Sequence, residues 1–338
     1  MQKSVTPPPA PSTKHQMIAP QATRPTVVRQ GGTGLWLVPI LVACHLLVAL
    51  PLLAPASWGV LAASLVLCGL LIFVRGFGFT AGFHRYFSHH AFKTSRAFAF
   101  ILGALGSTGL RGGPLWWAAH HRNHHRTSDK PEDIHRPVDG VWHNYLGWLL
   151  VWENGVTDLN CMRDFAKHPE QVWLNRFWLL PSVLMAGFCA AAGWLVAGLP
   201  GMYAFLGLGF GLSTVLIFHG QSLLDVLAHR WGRRRFDLAD TSHNIAALHL
   251  LFMGEAWHNN HHHHPGNARM GFFPGEMDAA HDTLRVLRLF GIVWDLREPD
   301  PRVLEVNRVE DMVAPDLAKR SGIGGLPAHL APAIRLPE

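Results

Sequence analysis

Four uncharged apolar stretches of membrane-spanning length constrain the fold of this chain more than any other feature. No Asp, Glu, Lys or Arg occurs in residues 35–54, 57–74, 177–197 or 203–218. A hydrocarbon core about 30 Å thick requires about 20 helical residues, which the first three stretches approach or reach. We expect the second and fourth stretches to continue, so the predicted spans are residues 35–54, 57–83, 177–197 and 203–228. The alternative is a soluble protein with buried helical hairpins.

The basic residues lie on one side of these stretches. The short links at 55–56 and 198–202 carry no Lys or Arg, which occur instead before residue 35, in 75–176 and after 229. Because Lys and Arg concentrate in cytoplasmic loops, both termini and both long polar regions are predicted to be cytoplasmic. The sequence therefore predicts an all-α membrane protein with four transmembrane helices in two hairpins.

The remaining segments complete the predicted organisation. Residues 1–34 are rich in Pro, Thr and Gln and are expected to form a disordered tail. An integral-membrane domain at 35–300 follows, and then a loosely ordered tail at 301–338. Residues 97–110 are apolar but too few to span a bilayer, so we expect them at the membrane interface. The net charge of +6 favours an anionic partner, which we expect to be membrane lipid or an acidic cofactor and not nucleic acid.

Histidines cluster near the predicted cytoplasmic ends of the spans. The clusters are HRYFSHH at 84–90, HHRNHH at 120–125, DVLAH at 225–229 and WHNNHHHH at 257–264. The second and fourth contain H-x-x-H-H, and positions i, i+3 and i+4 share one face of a helix. Each triplet is therefore predicted to aim three imidazoles at one point, as a metal requires. For any single cluster, a solvated face or an adventitious metal binder is the alternative.

The number of these histidines predicts more than one metal ion. The candidate ligands are His84, His89, His121, His124, His125, His229, His258, His261 and His262, with Asp225 one helical turn before His229. One ion takes at most about six ligands in octahedral geometry, so nine ligands imply two ions. Neutral imidazoles leave such a pair with a high charge and open positions for O₂, which favours redox chemistry. The four cysteines form no C-x-x-C pair, which argues against thiolate zinc and iron–sulfur sites.

At this point the chain resembles a known family, the membrane-bound fatty acyl desaturases of the stearoyl-CoA desaturase type. The stretches that carry the resemblance are GFHRYFSHHAFKTSR, WWAAHHRNHHRTSDKPEDIH, LAHRWGRRRF and GEAWHNNHHHHPGNARMGF, within residues 35–285. The segments GRRRF and GEAWHNNHH are similar to the acyl-CoA branch that is common in bacteria. The resemblance implies four transmembrane helices under a helical cytosolic cap that holds a di-iron centre, in a bacterial inner membrane.

The resemblance also implies roles for individual positions. The nine histidines would be the iron ligands. The family usually has Asn at the position of Asp225, where it holds a metal-bound water. A carboxylate there could ligate iron, lower the net charge of the centre or act as a base. His90 and His120 also depart from the family pattern, in which Arg and an acidic residue are common.

The implied reaction is O₂-dependent removal of two hydrogens from a saturated acyl chain, leaving a cis double bond near its middle. The substrate would be an acyl-CoA, or alternatively a phospholipid-esterified chain, with electrons from a separate protein such as a ferredoxin, rubredoxin or reductase. Trp116, Trp117 and Trp257 are candidate tunnel-lining residues. A di-iron lipid hydroxylase is a further alternative, and a membrane metal transporter is one of a different class.

Polar residues beside the histidines are candidates for two supporting roles. A phosphate-rich head group could bind to Arg122, Arg126, Arg230 and Arg234, for which anionic lipid is the alternative ligand. The imidazoles could be oriented by Asp129, Glu132 and Asp133, for which a solvated loop is the alternative.

Overall fold

The computed structural model describes residues 27–29 and 34–313, and this part of the chain is mostly helical. The α-helices in chain order are α1 (Leu37–Val48), α2 (Trp58–Phe77), α3 (Arg96–Ser107), α4 (Pro114–Thr127), α5 (Trp148–Leu150), α6 (Arg163–Ala166), α7 (Pro169–Arg176), α8 (Leu180–Ala204), α9 (Ser213–Leu227), α10 (His258–His263) and α11 (Ala279–Leu289). π-Helical segments occur at Gly78–Ser88, His143–Gly147 and Phe205–Leu212. Short 3₁₀ turns occur at Gly34–Trp36, Leu50–Leu52, Pro137–Asp139, Trp152–Gly155, Ala246–Leu248 and Val303–Glu305.

The strands form three antiparallel pairs that join distant parts of the chain. The pairs are β1 (Val27–Arg29) with β3 (Val156–Asp158), β2 (Lys93–Thr94) with β5 (Val293–Trp294), and β4 (Arg233–Phe236) with β6 (Arg308–Val313). The register of the third pair shifts between Arg234 and Phe236. These pairs tie the segments around the histidines together without forming a larger sheet.

Three helical stretches are long and apolar enough to cross a membrane: Gly34–Leu52, Trp58–Ser88 and Leu180–Leu227. Apolar side chains cover their outer surfaces, since at most 22% of the most apolar window in each stretch is buried. The second stretch begins at a capped end, where the Ser57 hydroxyl accepts from the Val60 amide. These properties are those of a membrane protein.

The third stretch is broken near its middle. It has 48 residues, and a straight helix of that length would extend about 72 Å, far more than a bilayer core. The backbone leaves the helical region at Ala197 and at Gly198, which has φ 58°. A Cβ added to Gly193 would lie 2.2 Å from the Gly201 carbonyl oxygen, so the two backbones are in contact. The chain therefore folds back at the predicted link 198–202.

The predicted interfacial segment 97–110 forms the short helix α3. One face of this helix packs on the π-helical continuation of α2, where a Cβ added to Gly78 would lie 2.4 Å from the Leu105 Cβ. Arg75 fixes the end of α3, because its guanidinium donates to the Thr108 hydroxyl at 3.0 Å and to the Ser213 hydroxyl at 2.7 Å. Arg75 is 1% exposed, so this contact joins α2, α3 and α9 inside the protein.

The predicted tails have different outcomes. Within the predicted tail 1–34, Val27–Arg29 form β1, while residues 1–26 and 30–33 lie outside the described part of the chain. Within the predicted loosely ordered segment from 301 onward, Arg308–Val313 form β6, which pairs with β4. The unpaired backbone groups of β4 gain partners in this way. Residues 314–338 also lie outside the described residues.

Candidate metal centre

All nine predicted histidine ligands converge, and they do so in two groups. The five-histidine group consists of His84, His89, His121, His125 and His261. The four-histidine group consists of His124, His229, His258 and His262. The nitrogen atoms within each group all lie within 4.8 Å of one another. The structure thus brings together residues that are up to 178 positions apart in the chain.

Each group draws its ligands from several elements. The π-helical segment carries His84, and His89 follows directly at its end. The helix α4 supplies three histidines and the short helix α10 supplies another three. His229 lies just beyond α9, where the chain turns toward β4. No single element could form either group alone.

The expectation that each H-x-x-H-H triplet aims at one point is wrong. In α4, His121 and His125 enter the five-histidine group, whereas His124 enters the four-histidine group. The reason is helical geometry: positions i and i+4 lie about 40° apart around the axis, but i+3 and i+4 lie about 100° apart.

The helix α10 also divides its triplet between the two groups, with the assignments reversed. His258 and His262, at i and i+4, enter the four-histidine group, and His261 enters the five-histidine group. The two triplets are therefore reciprocal, and each helix contributes to both groups.

The spacing of the imidazole nitrogens fits a metal ion. In the five-histidine group the Nε2 atom of His261 lies 2.8 Å from that of His84 and 2.9 Å from that of His125. The Nε2 atom of His121 lies 3.0 Å from those of His89 and His125. Two ligands at right angles, each about 2.1 Å from a metal, are separated by about 3.0 Å. The five nitrogens thus have the separation expected of neighbouring ligands on one ion.

The four-histidine group shows the same spacing and contains one imidazole nitrogen that is not hydrogen-bonded within the described part of the chain. The Nε2 atoms of His229 and His258 are 3.0 Å apart. The Nε2 atom of His262 is buried and has no hydrogen-bond partner among the residues that the structure describes. A buried polar nitrogen without a partner is costly unless a ligand satisfies it. The donor set therefore fits a metal ion in this group as well.

Carboxylates orient several of these rings through the opposite nitrogen. His84 Nδ1 donates to Glu255, His124 Nδ1 donates to Asp133 at 2.7 Å, and His262 Nδ1 donates to Asp240 at 2.9 Å. Such bonds fix the tautomer that leaves Nε2 free to bind a metal. Glu255 is itself held by the buried Arg85.

The buried environment keeps the imidazoles neutral. Burial, reinforced by the neighbouring imidazoles, lowers the pKa well below its ordinary value for His89, His121, His125, His229, His258 and His261. Burial lowers the pKa of His124 to about 4. Neutral imidazole is the form that binds a metal, so the site is prepared for one.

A cavity opens beside the two groups. Its lining includes the histidines His84, His121, His124, His229 and His258. The rest of the lining combines apolar and polar side chains: Phe79, Trp117, Trp148, Leu224, Arg111, Gln221 and Asp225. Trp117 therefore lies where a tunnel was predicted, and its ring stacks on His121 with centroids 4.6 Å apart. Trp116 and Trp257 are buried away from this lining.

Asp225 lies outside both histidine groups. Its Oδ2 atom accepts a hydrogen bond from Arg111 Nη2 at 2.6 Å. Direct ligation by Asp225 is therefore not the arrangement found, because a buried guanidinium neutralises the carboxylate instead.

The four arginines predicted to bind a head group differ in their exposure and in their hydrogen-bond partners within the protein. Arg122 donates to the carbonyls of Ser88 and Phe87 and pairs with Asp164 at 2.7 Å. Arg234 is 6% exposed and donates to the Leu238 carbonyl. Both arginines are therefore hydrogen-bonded to other parts of the protein, and head-group binding by them stays a prediction.

Three of the four keep accessible surface, since the Arg122 side chain is 19% exposed. Arg126 is exposed and contacts Asn123 on its own helix. Arg230 is partly buried and donates to the Pro137 carbonyl at 2.6 Å.

The remaining histidines beside the groups have other partners. His120 Nε2 lies 3.0 Å from the Asn154 carbonyl oxygen, and burial lowers its pKa to about 4. His90 pairs with Asp164 on the surface. His135 lines the cavity, and its ring centroid lies 4.3 Å from that of His124. The register that excludes His120 is therefore the one in which the nine nitrogens converge.

Sequence reasoning found part of the orienting set. Asp133 bonds His124 as expected, and Asp129 accepts from Thr241, whose hydroxyl lies 3.4 Å from His229 Nδ1. Glu255 and Asp240 were not predicted. The only signal for Glu255 was its place three residues before His258, and Asp240 gave no local signal.

Comparison with known proteins places these features in context. Residues 55–270 match the family model described as Fatty acid desaturase. The sn-2 palmitoyl-lipid 9-desaturase of Nostoc sp. (strain 36) is 30% identical over 265 residues, covering 75% of this chain and 88% of the relative. The Delta-9 acyl-lipid desaturase 1 of Arabidopsis thaliana is 30% identical over 254 residues, covering 73% and 79%. The Acyl-CoA C20 Delta5-desaturase of Anemone leveillei is 30% identical over 248 residues, covering 72% and 74%.

Proposed function

The chain belongs to the fatty acid desaturase family, and on that premise we propose that it introduces a cis double bond into a saturated acyl chain. We propose that the nine histidines hold two iron ions and that O₂ is the co-substrate. The observation that carries this proposal is the convergence of nine buried imidazoles in two groups whose Nε2 atoms have the spacing of metal ligands. Its desaturase relatives support an oxidoreductase.

The proposed reaction needs an oxidant that side chains do not provide. Two bound iron ions, supplied with O₂ and two electrons, can remove hydrogen from unactivated methylene groups, which no amino-acid acid or base can do. One acyl chain, one O₂, two electrons and two protons give the unsaturated chain and two molecules of water. We propose that the electrons come from a separate protein such as a ferredoxin, rubredoxin or reductase.

The protein's own contribution is placement and exclusion of water. Glu255, Asp133 and Asp240 hold three of the imidazoles in the metal-binding tautomer. Phe79, Trp117 and Leu224 give the cavity an apolar wall against which a polymethylene chain can pack. Such a wall excludes water and positions two adjacent methylene groups beside the histidines.

We propose four membrane crossings, with the long stretch Leu180–Leu227 contributing two. The reversal at Ala197 and Gly198 and the contact between Gly193 and Gly201 support this. The absence of Lys and Arg from residues 198–202 supports an external position for the link. We propose a multi-pass protein of the bacterial inner membrane, with a desaturase domain at 35–300 and both termini in the cytoplasm.

The acyl chain could be carried by a lipid or by coenzyme A. Two of the compared relatives are named as acyl-lipid desaturases and one as an acyl-CoA desaturase. Arg122 and Arg234, two of the candidate head-group arginines, are hydrogen-bonded within the protein. We therefore propose a lipid-esterified chain as the first substrate and acyl-CoA as the second. A mid-chain position is supported by the two relatives named as 9-desaturases.

Expression in a cell that lacks desaturases tests this proposal. We expect new mid-chain double bonds in the membrane lipids, located by mass spectrometry after chemical cleavage. His124→Ala should abolish them together with bound iron, whereas His120→Ala, on the same helix but outside both groups, should retain both.

The purified protein then distinguishes the substrates. Palmitoyl phospholipid vesicles and palmitoyl-CoA are each supplied with O₂ and a reducing system, and we expect conversion of the vesicle lipid. A hydroxylated chain as the main product would instead support the hydroxylase alternative. An iron-loaded protein that leaves both substrates unchanged would contradict the proposed function.

A further inference from the structure

A rigid turn beside the cavity carries a buried arginine. Arg111 lies between α3 and α4, in a turn where Leu110 has φ 60° and Gly112 has φ 82°. The same turn is fixed at Thr108, whose hydroxyl and carbonyl both accept from Arg75. The position of the Arg111 backbone is therefore set by the packing of the membrane helices.

The Arg111 side chain forms an ion pair with Asp225. It is 1% exposed, and its guanidinium donates to the Asp225 carboxylate at 2.6 Å and to the Ser222 hydroxyl at 3.2 Å. It also lies over the ring of Trp148, 5.7 Å from the centroid. A buried guanidinium that loses its carboxylate is left as an uncompensated charge, so this pairing is strongly favoured.

Asp225 nevertheless faces the histidines. It lies in the last turn of α9, four positions before His229, which follows the end of that helix. Both line the cavity together with His124 and His258, which also belong to the four-histidine group. A free carboxylate in this place would be an oxygen ligand suited to iron.

We propose that Arg111 is a positioning residue that withholds the Asp225 carboxylate from the metal of the four-histidine group. This inference rests on the proposed function, because it requires a metal in that group. Its consequence is that the cavity side of the group remains available to a ligand from outside the protein, such as O₂ or water. Arg111 acts only through Asp225 and does not bind the metal itself.

Two single variants test the inference in the purified, detergent-solubilised full chain. Co²⁺ and Fe²⁺ are the probes, and their dissociation constants are measured by chelator competition on protein freed of metal. Asp225→Asn keeps an oxygen that can accept from Arg111, so we expect metal affinity within about twofold of the original protein. A carboxylate that was a ligand would give a loss of about tenfold or more.

Arg111→Gln is expected to shift two measurements in opposite directions. The metal-free protein should melt at a lower temperature, because Asp225 loses its partner. Metal affinity should rise about tenfold, with a change in the visible Co²⁺ spectrum, because the released carboxylate can coordinate. In Arg111→Gln/Asp225→Asn the carboxylate is absent, so affinity and spectrum should return to those of the original protein.

Arg75→Gln is the matched control. Arg75 is as buried as Arg111 and contacts the same turn, but its hydrogen-bond partners are hydroxyls and a carbonyl. We expect it to lower the melting temperature without raising metal affinity. Arg96→Gln, at an exposed ion pair with Glu170, serves the same purpose if the first control does not fold.

The outcomes separate this inference from the proposed function. Affinity lost in Asp225→Asn, or Arg111→Gln binding metal no more tightly than the control, would overturn the inference alone. An original protein that binds neither Co²⁺ nor Fe²⁺ in these groups would overturn the proposed function, and the inference with it. Asp225→Asn keeps the inference falsifiable even if Arg111→Gln does not fold, because a loss of metal affinity in this nearly isosteric variant would show that the carboxylate is already a ligand.

Discussion

The two histidine groups use the same residue type but have different surroundings. In the five-histidine group, contacts of 2.8–3.0 Å link His89, His121, His125, His261 and His84 in series. In the four-histidine group, His229 and His258 are in such contact, while the buried Nε2 of His262 has no partner. Three members of the smaller group line the cavity, compared with two of the larger.

The difference indicates a division of roles between the groups. The five-histidine group supplies nearly a complete ligand set from the protein. The four-histidine group has fewer protein ligands and faces Asp225, whose carboxylate is held by Arg111. We therefore expect the second group to be the one that responds most to changes in ligands from outside the protein. Three experiments test whether the two groups differ in this way.

Removing one ligand from each group should give the largest effect. We expect His229→Ala and His84→Ala each to lose at least about 100-fold in desaturation, at the upper end of the range for changes near a metal. His229→Ala leaves three histidines and His84→Ala leaves four, so iron loss should be greater in the first variant. Plasma mass spectrometry of iron per chain measures this.

The control for ligand removal lies on the same helix as three ligands. His263 follows His262, but its Nε2 contacts the Val303 carbonyl at 2.7 Å. His263→Ala should therefore retain iron. Equal iron loss in the two ligand variants would remove the distinction between the groups.

Acidification of the metal-free protein should give an intermediate effect. Burial lowers the pKa of most of these imidazoles, so the folded chain stays neutral while the unfolded chain takes up protons below about pH 6.5. Stability is thus fully present above about pH 6.5 and is lost as the pH falls through the folded-state values, which for His124 is about 4. Melting temperatures measured across this range test the sign.

Two comparisons control the pH experiment. Bound metal excludes protons from the imidazoles, so the loaded protein should keep its melting temperature to lower pH. His120→Asn removes one buried imidazole, with a pKa of about 4, outside both groups, and should flatten the profile only slightly. A metal-free profile that rises on acidification would contradict neutral burial.

The smallest effect concerns the helix that carries His84. A Cβ added to Gly78 would lie 2.4 Å from the Leu105 Cβ and 2.7 Å from the Gly106 backbone nitrogen. We expect Gly78→Ala to destabilise the protein by about 1–3 kcal/mol and to weaken mainly the five-histidine group. Gly69→Ala is the control, because nothing lies within 4 Å of its added Cβ. Equal melting temperatures for the two variants would show that the close contact is not required.

Much of the site could be predicted from the sequence because its signals are local. The H-x-x-H-H spacing repeats in two segments and identified six of the nine converging histidines, and the other three were identified by their clusters near the ends of the apolar stretches. Their division into two groups was not predicted, because positions i+3 and i+4 lie about 100° apart around a helix axis and the group that each one enters depends on how α4 and α10 pack. Arg111 and Asp225 are 114 positions apart, and no pattern in either segment indicates the pair.

The fold shows the same limit. Hydropathy and length identified the apolar helices, because each depends on about 20 consecutive residues. The strand β6 was missed, because its pairing with β4 depends on backbone hydrogen bonds between segments some 75 positions apart. Side chains of a short strand give little local indication of such a partner.

The span of the histidine contacts also determines when the centre can form during synthesis. The contact between His84 and His261 closes over 177 positions, and both groups need ligands from α10. By the time His261 and His262 emerge from the ribosome, all three apolar helical stretches have already been made. Under the proposed function, loading with metal would therefore be a late step in the biogenesis of this protein, because chains terminated before α10 would lack ligands of both groups.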